Sequence, residues 1–265
     1  MARFIILASL CFCLISLKAQ PTFRELTGVD AWLNTSVELY FSGHSNLVFS
    51  GTVQRSSFAG DRLGNSPFDE TLLSIGYQHF LQEKWLLQFS QKRNRIITGR
   101  RDISSAAIQH NGKIESLIFL KTANVEFIQF KDDVNKEDDF RVSASVYLGK
   151  RVDVKQIPLQ IGLRYEIFRD INPSGDPRRV SKSRLWFDSQ LFISNHANLG
   201  FFAMRETDYF FAEETFGLDD DGNLVTVKPY RKLNLFTPTY GIRLRFIIAP
   251  ENIHPSLPFN FYRSK

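Results

Sequence analysis

Through most of its length this chain alternates apolar and polar residues in about a dozen segments, and nowhere does it hold the ~20 unbroken apolar residues of a membrane-spanning helix. The pattern is cleanest over residues 157–167. There Ile157, Leu159, Ile161, Leu163, Tyr165 and Ile167 share one face of an extended segment, while Gln160, Gly162, Arg164 and Glu166 share the other. Successive strand side chains point to opposite faces, so one wall of such a strand is oily and the other charged. The same period of two recurs at 31–41, where Leu33, Val37, Leu39 and Phe41 oppose Trp32, Asn34, Ser36, Glu38 and Tyr40, and again at 47–57, 73–78, 85–94, 140–148, 185–193 and 239–246. Turn formers separate the segments: Gly43-His44-Ser45-Asn46, the stretches 60–67 and 170–177, Asn195-His196-Ala197-Asn198, and Asp219-Asp220-Asp221-Gly222-Asn223. Residues 103–130 are too long for one crossing at ~3.3 Å per residue, which places a reversal near Lys121.

These segments predict an all-β fold, a transmembrane up-and-down antiparallel β-barrel of about 12 strands with 10 as the runner-up, occupying residues 20–248. A soluble β-sandwich would use the same alternation to hide its oily face in a core. Sandwich strands average about 5 or 6 residues, however, and most segments here run longer, nearer the ~9 to 11 of a membrane strand. Trp32, Tyr40, Trp85, Tyr147, Trp186, Tyr209 and Tyr240 lie near strand ends and suit interfacial girdles. One difficulty follows from the phase of the meander. With long connections outside and short ones in the periplasm, the strand at 31–41 starts on the outside, the wrong side for the N-terminus. An extra strand within 22–29, a bend at Thr237-Pro238 inside one long terminal strand, or long loops turned inward would each resolve it.

The first residues set a compartment. A short positive start at Met1 to Arg3, an apolar run over 4–17, and Leu17-Lys18-Ala19 before Gln20 read as a cleaved secretory signal peptide, residues 1–19. Lys18 cuts the run too short for an anchor helix. Both cysteines, Cys11 and Cys13, fall inside this leader, so the exported chain has no thiol for a disulfide or a Cys-ligated zinc. Without the leader, 31 Lys plus Arg stand against 28 Asp plus Glu, which is not the balance of a nucleic-acid binder. Phe at 25 and aromatics at 14% beside 23% charged residues suit a shell that is oily outside and wet inside.

If the oily faces meet lipid, the lumen gathers Glu38, Lys92, Glu126, Arg141, Arg164, Glu166, Arg184, Asp188, Arg243 and Arg245, with Glu206, Asp208 and Lys232 beside them. The two signs are nearly balanced. A pore selecting one ion sign would carry rings of one charge, whereas mixed pairs cross-link strands and fill a narrow lumen. A narrow polar channel and a plugged barrel both fit. The enzymatic alternative is a hydrolase with Ser and His on the lipid-facing wall, which needs a nucleophile, a base and an orienting third group within reach. His79 shares a face with Ile75 and Tyr77, but no serine stands beside it there. His44 and Ser45 adjoin in a turn. No phosphate-binding glycine loop or metal-spaced His pair is present, the Asp219 to Asp221 run lacks the spaced ligands of a calcium loop, and no cofactor is expected.

The most specific local signal is TYGIRLRF, residues 239–246. In it Thr239 is followed by Gly241 and then by Leu244 and Phe246 two apart. It resembles the C-terminal strand signal by which the bacterial barrel assembly machinery recognises its clients. Here the chain continues beyond it, and residues 249–265, with Pro250, Pro255 and Pro258, read as a C-terminal periplasmic extension. Leader, Trp32 strand, short-turn meander and TYGIRLRF ending together look like a family of small outer-membrane β-barrel proteins of the Bacteroidota that carry a domain of unknown function. The resemblance implies a Gram-negative outer membrane, contact with its lipid, and the assembly machinery as a partner during biogenesis. It brings no catalytic residue. A small polar solute is the expected cargo, and its identity is not legible in the chain.

Overall fold

The computed structural model describes residues 22–57, 68–82, 84–96, 99–131, 138–154, 157–171, 180–212, 215–218, 224–228 and 231–250. The leader, the tail beyond residue 250 and most of the loop positions named above lie outside them. Among the described residues every regular element is a strand: β1 (Thr22–Leu26), β2 (Asp30–Ser42), β3 (Ser45–Ser56), β4 (Glu70–Leu81), β5 (Trp85–Ile96), β6 (Gly99–Ile114), β7 (Leu117–Lys131), β8 (Asp139–Val154), β9 (Ile157–Asp170), β10 (Lys182–Phe192), β11 (Ala197–Ala212), β12 (Thr215–Leu218), β13 (Leu224–Lys228) and β14 (Arg231–Ile248). From β2 to β11 each strand pairs antiparallel with the next, and β14 follows β11; β12 and β13 form a separate hairpin in the β11–β14 connection. Several strands run 14 to 18 residues, longer than the segments implied.

The sheet has twelve strands, but its wall closes with eleven. β14 pairs in parallel with β2 from Thr239↔Asp30 to Ile248↔Leu39, and β1 pairs in parallel with the earlier part of β14, from Thr22↔Lys232 to Leu26↔Phe236. β1 and β2 therefore lie end to end along the same edge, and β1 adds height rather than circumference. Thr27 staples the gap between them: its N–H and its hydroxyl both donate to the Phe236 carbonyl, at 2.9 and 3.0 Å, and its hydroxyl lies 2.6 Å from that of Thr237. The Phe236 carbonyl points to this seam, so the residue of like parity, Pro238, places its missing N–H on the seam as well. A proline is tolerated there because the gap offers no strand residue to receive it.

This seam leaves the chain entering at the long-loop rim, because β1 runs in line with β2 and parallel to β14, so the extra strand does not reverse the phase of the meander. Both the extra strand within 22–29 and the passage of one long terminal strand through Thr237-Pro238 are present. With an odd wall the chain enters at one rim and leaves at the other, and only a parallel seam can close it. The sheet has the expected twelve strands but the wall has eleven, because strand pairing, not local pattern, decides whether β1 lies beside β2 or above it. The strand ends that the long connections join fall at one rim, and the described turns at 43–44, 115–116 and 193–196 fall at the other. The reversal within 103–130 occurs at Glu115, whose φ is 55°, and not near Lys121. Lys121 continues the alternation of β7 on the outer face, its ammonium 5.1 Å from the Phe119 ring centroid.

The barrel is inside-out relative to a soluble core. Leu163, Phe187 and Leu148 form one outward row across β9, β10 and β8, and Ile75, Phe89, Val125, Phe140, Ile242 and Phe246 carry an apolar belt around the wall, all of them exposed. The buried set instead includes Glu38, Asn46, Glu126, Asp188, Asn198 and Thr239. A sandwich would show the reverse. The girdle expectation needs correction. Trp85, Tyr209 and Tyr240 fall on the outward parity, but Trp32, Tyr40, Tyr147 and Trp186 face the lumen, because they occupy the polar phase of their strands and the narrow interior has room for rings.

Candidate functional site: a chamber in the lumen

The lumen is organised in layers that follow from strand phase. Nearest the tight-turn rim, Tyr40, Phe80, Leu86, Ile118, Phe192 and Ile247 come inward from six strands and are all buried, forming an apolar floor. Toward the other rim, Trp186, Phe202 and Met204 pack together with Trp32, the Trp186 and Phe202 rings 5.3 Å apart and Trp32 edge-on to both at 6.2 Å. Gly241 makes this layer fit, since any Cβ there would enter the Phe202 ring. Between floor and ring cluster lies a chamber of about 460 Å³.

Five glutamines line the chamber, Gln78, Gln88, Gln109, Gln160 and Gln190, with Asn198 beside them. Each comes from a different strand and from the inward phase near the tight-turn rim. Tyr147 crosses one side. Its ring lies over Gly149 and Gly162, which face each other across β8 and β9 and leave it the space a side chain would take, and its hydroxyl accepts a 2.8 Å bond from Gln160 Nε2. On the opposite wall Arg245 grips Glu38 with two bonds of 2.6 and 2.7 Å across the β14–β2 seam, and Tyr40 donates to the same carboxylate at 3.3 Å. Asp188 stands between Arg243 at 3.5 Å and Arg164 at 3.9 Å. Those guanidiniums also lie over rings, Arg243 5.4 Å from Phe202 and Arg164 5.9 Å from Tyr147, which offsets part of the cost of drawing them out of water. Both polar atoms of the Asn198 amide and Oδ2 of Asp188 are buried without a hydrogen-bond partner.

All ten lumen charges named from sequence occupy the inward phase of their strands, and most are paired. Lys92 reaches Glu126 at 2.9 Å, and Arg141 meets Asp170 at 2.6 Å. Arg184 bonds Glu206 at 2.6 Å, Lys182 joins Glu206 and Asp208 at 2.7 and 3.2 Å, and Glu166 lies opposite Arg184 in the register. Lys232 is the exception, falling on the outward parity of β14. Of the assembly-signal residues, Thr239 and Gly241 face inward, Thr239 almost fully covered, while Leu244 and Phe246 face outward. The charges do not form one site. They divide between the chamber wall and a ladder of cross-strand pairs nearer the long-loop rim.

Sequence reasoning missed the glutamines and Asn198, because charge drew the eye and amides did not, and it missed Asp170 and Lys182 because they stand at strand ends beside a loop. Counting amides on the polar phase near the tight turns would have found the glutamines. A second omission concerns His79. Strand pairing sets Ser45 directly opposite it, with Ser45 Oγ 2.8 Å from His79 Nδ1 and 3.3 Å from the Tyr77 hydroxyl, on the outer face near the tight-turn rim. The serine beside His79 thus comes from the neighbouring strand, although Ser45 is only 5% exposed. No family model and no curated protein matches the chain, so the reading of this chamber rests on its own geometry.

Proposed function

We propose that this protein is an integral outer-membrane β-barrel, non-enzymatic, whose lumen is occluded at rest and holds a small polar solute in the chamber. The observation that carries the membrane reading is the apolar belt turned outward on the wall above a polar, ion-paired interior. In water such a belt exposes far more contiguous apolar surface than a soluble protein tolerates, whereas in hydrocarbon it is the favourable arrangement. The closed wall also leaves no unpaired sheet edge between β2 and β14, which a bilayer requires. The signal-like leader and the lack of cysteine beyond it agree with this location.

Occlusion and solute binding rest on the layers. An ion-selective open pore would present rings of one sign, but here opposite charges neutralise one another in pairs, and an apolar floor and an aromatic cluster cross the lumen on either side of the chamber. Glutamines and Asn198 offer neutral donors and acceptors suited to hydroxyl-rich solutes, with the Asp188 carboxylate a charged acceptor beside them. The test is planar-bilayer recording of the purified chain. The wild type is expected to give no steady conductance. Phe80→Ser/Phe192→Ser, which opens the floor, is expected to give discrete steps. Steady conductance from the wild type would overturn occlusion.

The Ser45–His79 pair favours a second reading, hydrolysis of lipid at the outer wall, since it supplies a nucleophile next to a base. The non-enzymatic reading expects no fatty acid release from phosphatidylethanolamine vesicles by the folded protein. Release that Ser45→Ala abolishes would install the hydrolase instead.

A further inference from the structure

The outer wall carries one feature that the lumen does not explain. Three cations stand directly opposite one another in a single cross-strand row near the long-loop rim, Arg95 on β5, Arg100 on β6 and Lys131 on β7. In the next row toward the belt, Arg93 faces Asp102, which faces Gln129. Asp102 collects three of the cations, Arg93 at 3.0 Å, Lys131 at 3.1 Å and Arg100 at 3.6 Å, and is itself nearly covered, while the Arg93 and Lys131 side chains remain 63% and 45% exposed. By strand parity Asp102 is the single carboxylate on the outward face of the eleven wall strands, among the described residues. One carboxylate cannot neutralise four cations. Like charges directly opposite in a sheet repel, and here they stand at the upper edge of an apolar wall where desolvation raises the cost.

What lies beside the cluster names the partner. A shallow groove of about 580 Å³ runs across the wall between Phe49, Gly51, Leu73 and Ile75, in the cross-strand rows of Arg93 and Gln91, and ends at Arg93 and Asp102. Gly51 leaves the groove open because it has no side chain, and the Leu73 methyl lies in contact distance of where a Cβ would sit. At the junction Ser104 donates a 2.6 Å bond to Gln91, so these outward polar groups satisfy each other within the wall. An anionic group held by guanidiniums beside an apolar groove matches one molecule, a membrane lipid.

We propose that Arg93, Arg95, Arg100 and Lys131 bind the phosphate of an anionic membrane lipid, with an acyl chain lying in the groove over Gly51. The site rests on the membrane reading of the barrel. Arginine forks fit phosphate oxygens two at a time, and each cation at a membrane surface contributes roughly a fivefold gain in anionic-lipid affinity. Asp102 sets the spacing of the cations and competes with the lipid for them.

Native mass spectrometry of the detergent-purified full chain tests this, with dioleoyl-phosphatidylglycerol, dioleoyl-phosphatidylcholine or inorganic phosphate as probe. The wild type is expected to retain phosphatidylglycerol over phosphatidylcholine, and Arg93→Gln/Arg95→Gln to lower that preference by about 25-fold. This double variant leaves Asp102 its Arg100 and Lys131 partners, so the fold keeps its pairing. Asp102→Asn is expected to strengthen the preference, an effect opposite to that of merely losing a structural ion pair. Equal retention of the two lipids, an unchanged preference in the double variant, or inorganic phosphate bound as well as the lipid would overturn the site. A barrel that runs apart from its boiled form on detergent gels yet shows no lipid preference defeats this site alone, whereas a detergent-independent soluble chain defeats the membrane reading.

Discussion

Arg245→Leu is expected to destabilise the folded barrel by about 3–5 kcal/mol, the cost of leaving a buried charge without its partner. Arg245 makes two short bonds to Glu38 across the parallel seam, and the Glu38 side chain is only 8% exposed. Removing the guanidinium strands the Glu38 carboxylate beside the Tyr40 hydroxyl, at the one place where the first and last wall strands meet. Glu38→Leu/Arg245→Leu, which removes both charges, should recover most of the loss, because two apolar side chains next to the floor of Tyr40 and Ile247 need no partner. Urea unfolding of the refolded protein in lipid vesicles, followed by the separation of folded and boiled forms on gels, measures both. A double variant as unstable as the single would mean that the seam needs the ion pair itself and not merely the absence of an orphaned charge.

Leu163→Arg is expected to cost about 2–4 kcal/mol and to impair assembly, whereas Gln160→Arg should cost no more than about 1 kcal/mol. Leu163 sits on the outward row between Leu148 and Phe187 and is 54% exposed, so a cation there enters the belt where lipid chains would lie. Gln160 is three residues away but faces the chamber, and its replacement loses only the bond to the Tyr147 hydroxyl and can place its charge in a polar space. The same unfolding measurement compares the two. Equal costs would deny that the two faces of β9 meet different solvents. The comparison is sharp because chain position, strand and added charge are shared and only the facing differs.

Much of this was legible in the chain because it is a local property. A period of two assigns each side chain to a face without reference to any partner, and so Glu38, Lys92, Arg164 and Arg243 could be placed indoors and Leu163 and Phe246 outdoors from sequence. The same logic misled where a residue's face was set aside in favour of its type. Trp32, Tyr40, Tyr147 and Trp186 have aromatic rings suited to a membrane boundary, but their phase is inward, and phase prevails. The reversal near Lys121 was misplaced for a related reason. Glu115 adopts a positive φ without being glycine or asparagine, so the turn carries no sequence punctuation.

The sequence by itself determined that the chain is made of strands, which face of each strand is oily, and that the polar faces carry balanced charge. Only the tertiary structure decided that eleven strands close with a parallel seam, that β1 stacks above β2, that five glutamines from five strands ring one chamber, and that Ser45 stands against His79. The physical reason is separation along the chain. Alternation is written between neighbours, whereas Arg245 and Glu38 are 207 residues apart, and no local pattern states which distant strand edges will meet. Closure is chosen by the whole wall at once, since it alone satisfies the backbone groups of both edge strands.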